Sequence, residues 1–327
     1  MQALRMTAPA ADSTATEIVE VDEPRPGPGE LAIDVAFAGV NFIDVMARRG
    51  DPGYASGWPY VAGLEVAGTV RAVGDGVEDH HVGDRVAAFT GGGGFAEVAV
   101  APGALTVQVP TGVGLEVAAA APLVLSTAVL LLEDVARIRP GESVLMHSAG
   151  GGLGSAVPQV AAVVSSGARV GMVGAAGKVP AAVAAGWDHV LANNASSASA
   201  VRELVPGGID VILDPTGTHN LDLDLTIAAA GARVVLFGNP AGGVPAPLPP
   251  MGRLIGGNVG ILGFSISRLR GTRPATVAAA LRRSLSLLDA GDVRLDVTVA
   301  NDLRAVPDIH DLLAARRGSG KHVARIA

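Results

Sequence analysis

The sequence predicts an α/β protein in two parts: a β-rich first third, then a doubly wound parallel sheet. Three observations carry this expectation. Up to about Leu115, short alternating runs such as Glu30-Leu31-Ala32-Ile33-Asp34-Val35 are separated by Pro and Gly clusters at 24–29 and 91–94, the pattern of strands and turns. From Ser143 onward, short runs rich in Val, Ile and Leu alternate with helical segments, as in a parallel sheet covered on both faces. Between the first of those runs and its helix lies a glycine turn, Val144-Leu145-Met146-His147-Ser148-Ala149-Gly150-Gly151-Gly152-Leu153-Gly154.

In chain order, residues 1–6 read as a first strand and lack the apolar core of a signal peptide. Residues 41–50 read as a short helix, with Phe42, Val45 and Met46 at helical spacing. The most apolar stretch, 118–132, is broken by Pro122, Ser126 and Thr127 and is too short to span a bilayer. The parallel-sheet strands fall at 143–148, 168–174, 189–192, 210–214 and 232–238, with helices at 155–165 and 179–185 among them. A sixth strand, 258–266, follows a Pro-rich loop at 240–250. A helix at 274–290, a short run at 295–299 and a helix at 307–316 complete the chain, and no internal repeat is present.

The length of 327 residues predicts about two domains. With 49% hydrophobic but only 3% aromatic residues, the core is built from Ala, Val, Leu and Ile. The formal charge of -7 and the absence of a basic run argue against nucleic acid as a partner. There is no cysteine, which removes disulfides, thiolate nucleophiles and cysteine-based metal sites together. A soluble cytoplasmic protein without a membrane partner is the expectation.

The glycine turn carries the chemistry. A helix N-terminus presents unpaired N–H groups and a partial positive charge to a phosphate, and glycines let the backbone approach it. The spacing here is Ser148-x-x-Gly151-x-x-Gly154, with Gly152 and Leu153 between, in place of G-x-G-x-x-G. The next strand ends at Gly174 and runs into Ala175-Ala176-Gly177-Lys178, with no acid before Asp188. An acid at this strand end binds a ribose 2′-hydroxyl, whereas a lysine attracts a 2′-phosphate. The chain has two lysines, Lys178 and Lys321. Lys178 therefore predicts NADPH over NADH; the plainer alternative is a solvated loop lysine.

With these residues placed, the chain resembles the medium-chain dehydrogenase/reductase superfamily, and within it the zinc-free, zeta-crystallin-like quinone oxidoreductase branch. The segments that carry the likeness are Gly39-Val40-Asn41-Phe42-Ile43-Asp44, Gly63-Leu64-Glu65-Val66-Ala67-Gly68, Gly83-Asp84-Arg85-Val86, the turn from His147 to Gly154, Phe237-Gly238-Asn239 and Gly320-Lys321. The resemblance implies a GroES-like catalytic domain over 1–121, a Rossmann NADPH-binding domain over 122–266, and a segment over 267–327 that returns to the catalytic domain. Leu64 stands where the zinc enzymes have a ligating histidine, and the structural-zinc loop is missing, so no metal is expected. Met46 and Asn193 stand where relatives often carry tyrosine.

The candidate residues follow. Asn41 and Thr127 are candidates for catalysis and cofactor contact; otherwise Asn41 caps the following helix and Thr127 is a satisfied buried hydroxyl. His147 is read as structural or cofactor-lining. Asp214 and Thr216 end a strand at the sheet's carboxyl edge, with Asp214 a turn-former rather than an acid catalyst. Phe237, Gly238 and Phe264 fall on the same edge. Together with Ser148, Gly151, Gly152, Leu153, Gly154, Gly174, Lys178 and Lys321, these form the expected cofactor site. Met46, Tyr54, Trp58 and Tyr60 are expected to line a substrate pocket. The expected reaction is hydride transfer from NADPH to a quinone or α,β-unsaturated carbonyl. Alternatives are an enoyl-thioester reductase, with Arg268, Arg270 and Arg273 as a weak basic patch, and a non-catalytic NADPH-binding structural or RNA-binding protein. The apolar last strand predicts a homodimer.

Overall fold

In the computed structural model, which describes residues 1–326, the first strands are β1 (Gln2–Met6), β2 (Thr16–Glu20) and β3 (Glu30–Val40), followed by helix α1 (Phe42–Arg48) and β4 (Tyr60–Val61). β5 (Glu65–Val73), β6 (Arg85–Phe89), β7 (Val98–Pro102) and β8 (Thr106–Gln108) come next. β1 lies between β2 and β4 in a small antiparallel sheet. β3 is the long strand of the larger one and pairs with β5 and β7. Two register shifts against β5 bend it. Leu31, Ile33, Val35, Val66, Val86 and Phe95 fill the space behind, each at most 1% exposed.

A helical run then carries α2 (Leu115–Ala118) and α3 (Ser126–Val129), with wider turns over 121–125 and 130–135. The chain divides into two compact units inside this run. One comprises Met1–Thr127 with the chain from Ser267 onward; the other is Ala128–Ile266.

The second unit alternates strand and helix: β9 (Val144–His147), α4 (Gly152–Val164), β10 (Arg169–Val173), α5 (Val179–Ala184), β11 (His189–Ala192), α6 (Ser197–Leu204), β12 (Ile209–Asp214), α7 (Leu221–Ile227), β13 (Ala228–Leu236), α8 (Met251–Gly257) and β14 (Gly260–Gly263). All neighbouring strands are parallel, in the order β11-β10-β9-β12-β13-β14. The chain leaves β9 toward β10 on one side and later returns to β12 on the other. The carboxyl end of β9 is therefore the switch point of the sheet, where such folds bind ligands.

The last strand differs from expectation. Only Gly260–Gly263 pair, and Ile266 already begins a helix, α9 (Ile266–Thr272). The segment before it forms α8, closed by Asn258 in the left-handed region at φ 50°. A continuous apolar run has no period to separate strand from helix, which is why 258–266 read as one strand. The first unit, resumed at Ser267 within α9, continues with α10 (Pro274–Ala290), β15 (Val297–Ala300), α11 (Val306–Ala314) and β16 (Lys321–Arg325). β16 pairs with β3 and carries β15 at the edge. Among the described residues, no helix is long and apolar enough to cross a membrane.

Close packing of α4 on β9 requires glycine at 154. A Cβ there would lie 2.2 Å from the Ala149 carbonyl oxygen, whereas one at Gly174 meets nothing within 4 Å. Gly154→Ala is expected to lower stability by about 1–3 kcal/mol in chemical denaturation, with Gly174→Ala close to neutral. Equal effects of the two would show that the turn is not packed this tightly.

Candidate functional site

The turn after β9 reverses the chain within a few residues. Ser148 takes a left-handed conformation, φ 61°, which side chains other than glycine rarely adopt. The Gly151 N–H then donates to the Ser148 carbonyl at 3.0 Å. Gly151 caps α4, so the N–H groups of Gly152, Leu153 and Gly154 open the helix without intrahelical acceptors. Gly151, Gly152 and Leu153 are half-buried and Ser148 is exposed. A Cβ at Gly150 would lie 3.2 Å from Cβ and 3.5 Å from Cδ of Lys178, so the lysine packs beside the turn. Glycines, free N–H groups and one ammonium in a single place fit a phosphate-bearing cofactor. Gly174 is exposed at the end of β10.

Along the same carboxyl edge, Phe237 and Phe264 meet edge-to-face at 6.5 Å. Gly238, at φ 101°, leaves room for the Pro215 carbonyl, which a Cβ would approach to 2.9 Å. Asp214 is fully buried, and one carboxylate oxygen accepts from the Thr216 N–H (2.7 Å) and hydroxyl (2.5 Å). It is a turn-former, as the sequence reading held, and it fixes Thr216 at the strand end. His147 Nε2 is 2.7 Å from Asp224 Oδ1, and both residues are buried. Burial pushes the Asp224 carboxyl up to about 6, with His147 opposing and the Asp214 carboxylate adding to the rise. For His147, burial acts downward, and the Asp224 carboxylate more than offsets it, leaving the imidazole above its ordinary value.

The first unit contains a second buried polar cluster. The Lys321 ammonium donates to Val40 O (3.0 Å), Asn41 Oδ1 (2.6 Å) and Glu65 Oε1 (2.6 Å). Asn41 Nδ2 donates to Glu65 Oε1 (2.7 Å) and Gly39 O (3.2 Å), while Glu65 Oε2 accepts the Leu123 N–H at 2.7 Å. Lys321 is 2% exposed and Glu65 0%, so both charges are out of water and balance each other. The three protons of Lys321 are used inside the unit, and so are both amide protons of Asn41. Asn41 is also the N-cap residue of α1, and its N–H donates to the Asp44 carboxylate at 2.9 Å.

Of the residues expected at a substrate pocket, Tyr54 and Trp58 are half-buried. Tyr60 is 7% exposed in β4, and burial pushes its hydroxyl up to about 12. Trp58 meets its ring edge-on at 6.5 Å. Tyr54 and Trp58 pack on the core of the first unit, and Met46 is buried on α1. Thr127 is buried. Of Arg268, Arg270 and Arg273, Arg270 turns inward: it donates to Thr90 O at 2.7 Å and lies over the Phe89 ring, while Arg268 and Arg273 are exposed.

Sequence reasoning missed Glu65 and Asp224. Glu65 had a signal, since it sits between Leu64 and an apolar strand. Asp224 had none: Asp222, two residues earlier on the same helix, is exposed and paired with Arg253.

Two family models match the chain, an alcohol dehydrogenase GroES-like domain over residues 27–111 and a zinc-binding dehydrogenase domain over 152–285. The human synaptic vesicle membrane protein VAT-1 homolog-like is 36% identical over 66% of this chain, and the match spans only 51% of that protein. A probable quinone oxidoreductase of Schizosaccharomyces pombe is 32% identical over 72% of this chain and 70% of its own length. A mycobacterial protein solved in complex with NADPH superposes with a TM-score of 0.90 at 32% identity, covering 99% of both chains.

Lys321→Met leaves the Glu65 carboxylate buried without its cation. It is expected to cost about 3–5 kcal/mol in chemical denaturation, the usual effect of stranding one buried charge. The double variant Lys321→Met/Glu65→Gln is expected to recover part of that loss. No coupling between the two sites would contradict the geometry.

Proposed function

The chain belongs to the quinone oxidoreductase-like branch of the medium-chain dehydrogenase/reductase superfamily, and on that premise we propose that it is an NADPH-dependent reductase of quinones or α,β-unsaturated carbonyls. The observation that carries the reading is the packed glycine turn at the switch point of the parallel sheet, with Lys178 against it. Ser148, Gly151, Gly152, Leu153 and Gly154 would hold the pyrophosphate, and Lys178 the 2′-phosphate. Gly174, Thr216 and the Phe237–Phe264 edge would border the cofactor. When bound, NADPH supplies a hydride to an electron-poor carbon and leaves as NADP⁺.

The protein's own contribution is binding, orientation and exclusion of water. Negative charge arriving on the acceptor oxygen calls for a donor. With the Asn41 protons committed to Gly39 and Glu65, that donor is a backbone N–H or a water, and solvent supplies the balancing proton. No metal takes part in this reading: the chain has no cysteine, and Leu64 cannot ligate zinc. The enoyl-thioester alternative keeps only Arg268 and Arg273 of its basic patch at the surface, with Arg270 turned inward, and the acidic net charge of -7 counts against RNA.

A homodimer is part of the proposal. β14 is the edge strand of its sheet, and an unpaired edge invites its own copy across a two-fold axis. Val244, Leu248, Met251 and Ile255, just before it, are exposed apolar side chains. Light scattering is expected to report twice the chain mass, reduced by Ile261→Lys or Leu262→Lys. A wild-type monomer would remove this part of the proposal.

Two assays test the rest. NADPH is expected to bind more tightly than NADH, and Lys178→Ala to lose about 1.5–3 kcal/mol toward NADPH alone, the scale of a charged hydrogen bond. Equal affinity of the wild type for both cofactors would refute this. Turnover with a panel of quinones, enones and enoyl thioesters is expected to survive chelation. Loss of activity with EDTA, restored by zinc, would overturn the metal-free reading.

A further inference from the structure

The buried acids at the carboxyl edge of the second unit point beyond cofactor contact. We propose that Asp224 is a positioning residue for the cofactor turn, and that cofactor binding is accompanied by uptake of one proton held between Asp224 and Asp214. The proposal rests on the NADPH reading above.

The geometry begins one residue before the turn. His147 ends β9, and the next residue, Ser148, is already in the left-handed conformation that starts the reversal. The His147 side chain is anchored to α7 through Asp224, at 2.7 Å. This pair therefore fixes the strand end from which the turn departs. The network continues away from the turn. Thr216, held by Asp214, accepts from Asn220 Nδ2 at 2.8 Å, and Asn220 Oδ1 accepts from Asn193 Nδ2 at 3.3 Å. A row of hydrogen bonds thus runs from Asp214 at the end of β12 to the loop after β11.

The centre of this network is short of protons. An oxygen of each acid and a ring nitrogen of His147 all lie within 4.8 Å of one another. Oδ2 of Asp214 and Oδ2 of Asp224 are buried and have no hydrogen-bond partner. Two ionised carboxylates side by side in the interior repel, and each orphan oxygen lacks a donor. One proton between them satisfies both. On the elements packed against α7, Arg202 of α6 donates to Thr226 O, Glu203 is exposed, and Arg233 of β13 is paired with Glu142. His219 in the preceding loop is exposed.

The sign follows from charge. With His147 protonated and one proton shared by the acids, the cluster is neutral. Without the shared proton it carries a negative charge close to a turn that receives phosphates. Anion binding and proton binding therefore favour each other, and by linkage the cofactor is held more tightly at lower pH. Asp224→Asn mimics the protonated pair, because its amide can donate to Asp214 while its oxygen still accepts from His147. Asp224→Ala removes the anchor altogether.

The test is calorimetric titration of the full chain with NADP⁺, from about pH 6 to about pH 8 and in two buffers of different ionisation enthalpy, where one linked proton weakens binding by up to about tenfold per pH unit. NAD⁺, which lacks the titrating 2′-phosphate, is the second probe. The wild type is expected to take up protons on binding either cofactor and to weaken as pH rises. Asp224→Asn is expected to bind at the higher pH as tightly as the wild type does at the lower one, without the Asp224-linked uptake. Asp224→Ala is expected to bind more weakly throughout, and the exposed control Asp222→Asn to behave as wild type. An Asp224→Asn profile parallel to that of the wild type would overturn the proposal, as would a stoichiometric divalent metal in the purified protein. If Asp224→Asn does not fold, the wild-type proton count with NAD⁺ decides, and zero uptake counts against the proposal. Failure of the wild type to bind either cofactor at any pH would instead remove the cofactor reading itself.

Discussion

The first unit is organised by one buried contact, the Lys321 ammonium on the Glu65 carboxylate. Taking either charge out of water costs several kcal/mol, and mutual attraction offsets this only when the remaining protons and lone pairs are also satisfied. Here they are. Lys321 finds three acceptors, and Glu65 accepts from Lys321, Asn41 and the Leu123 N–H. The arrangement also dictates a glycine at 39, because a Cβ there would lie 2.1 Å from Glu65 Oε1. Through this cluster the last described strand is tied to β3 and to the helical run after β8, and Asn41 is fixed at the start of α1. The glutamate of the Gly-Leu-Glu segment thus has its cation supplied by the chain itself.

The second unit solves a similar problem incompletely. Its parallel sheet puts the glycine turn at the switch point, and tight packing at Gly150 and Gly154 brings Lys178 and the first turn of α4 to one place. The polar residues behind the turn are less well balanced. Two carboxylates lie near one histidine that bonds only Asp224, and each retains an unpartnered oxygen. Apolar residues in these positions would be less costly. The shortfall sits beside the only strained non-glycine residue of the turn, Ser148, so the two features belong to one site. The unpartnered oxygens of Asp214 and Asp224 lie where an anionic ligand at the turn would sense them.

Much of this was legible in the sequence because it depends on local pattern. The alternation of short apolar strands with helices, the glycine turn and the missing acid after β10 are all short-range signals, and the structure assembles them at one sheet edge. What could not be read is long-range pairing. Lys321 and Lys178 look alike as isolated lysines, yet one is buried 256 residues away in sequence from its carboxylate and the other lies against the turn. Asp222 and Asp224 differ only in which side of a seven-residue helix they occupy. Tyr54, Trp58 and Tyr60 drew attention as aromatics in an aromatic-poor chain, but rarity does not distinguish a binding surface from a core. The last strand was overdrawn because glycines and apolar residues in a row carry no period.

The proposed chemistry is hydride transfer from NADPH to carbon without a metal. The most direct measurement uses NADPH carrying deuterium at the hydride position, chelated enzyme and an enone acceptor, with the product analysed by NMR. Deuterium at the β-carbon, with a solvent-derived proton at the α-carbon, is the predicted result. NADPH consumed with no deuterium in the product, or label transferred only after zinc is restored, would contradict it.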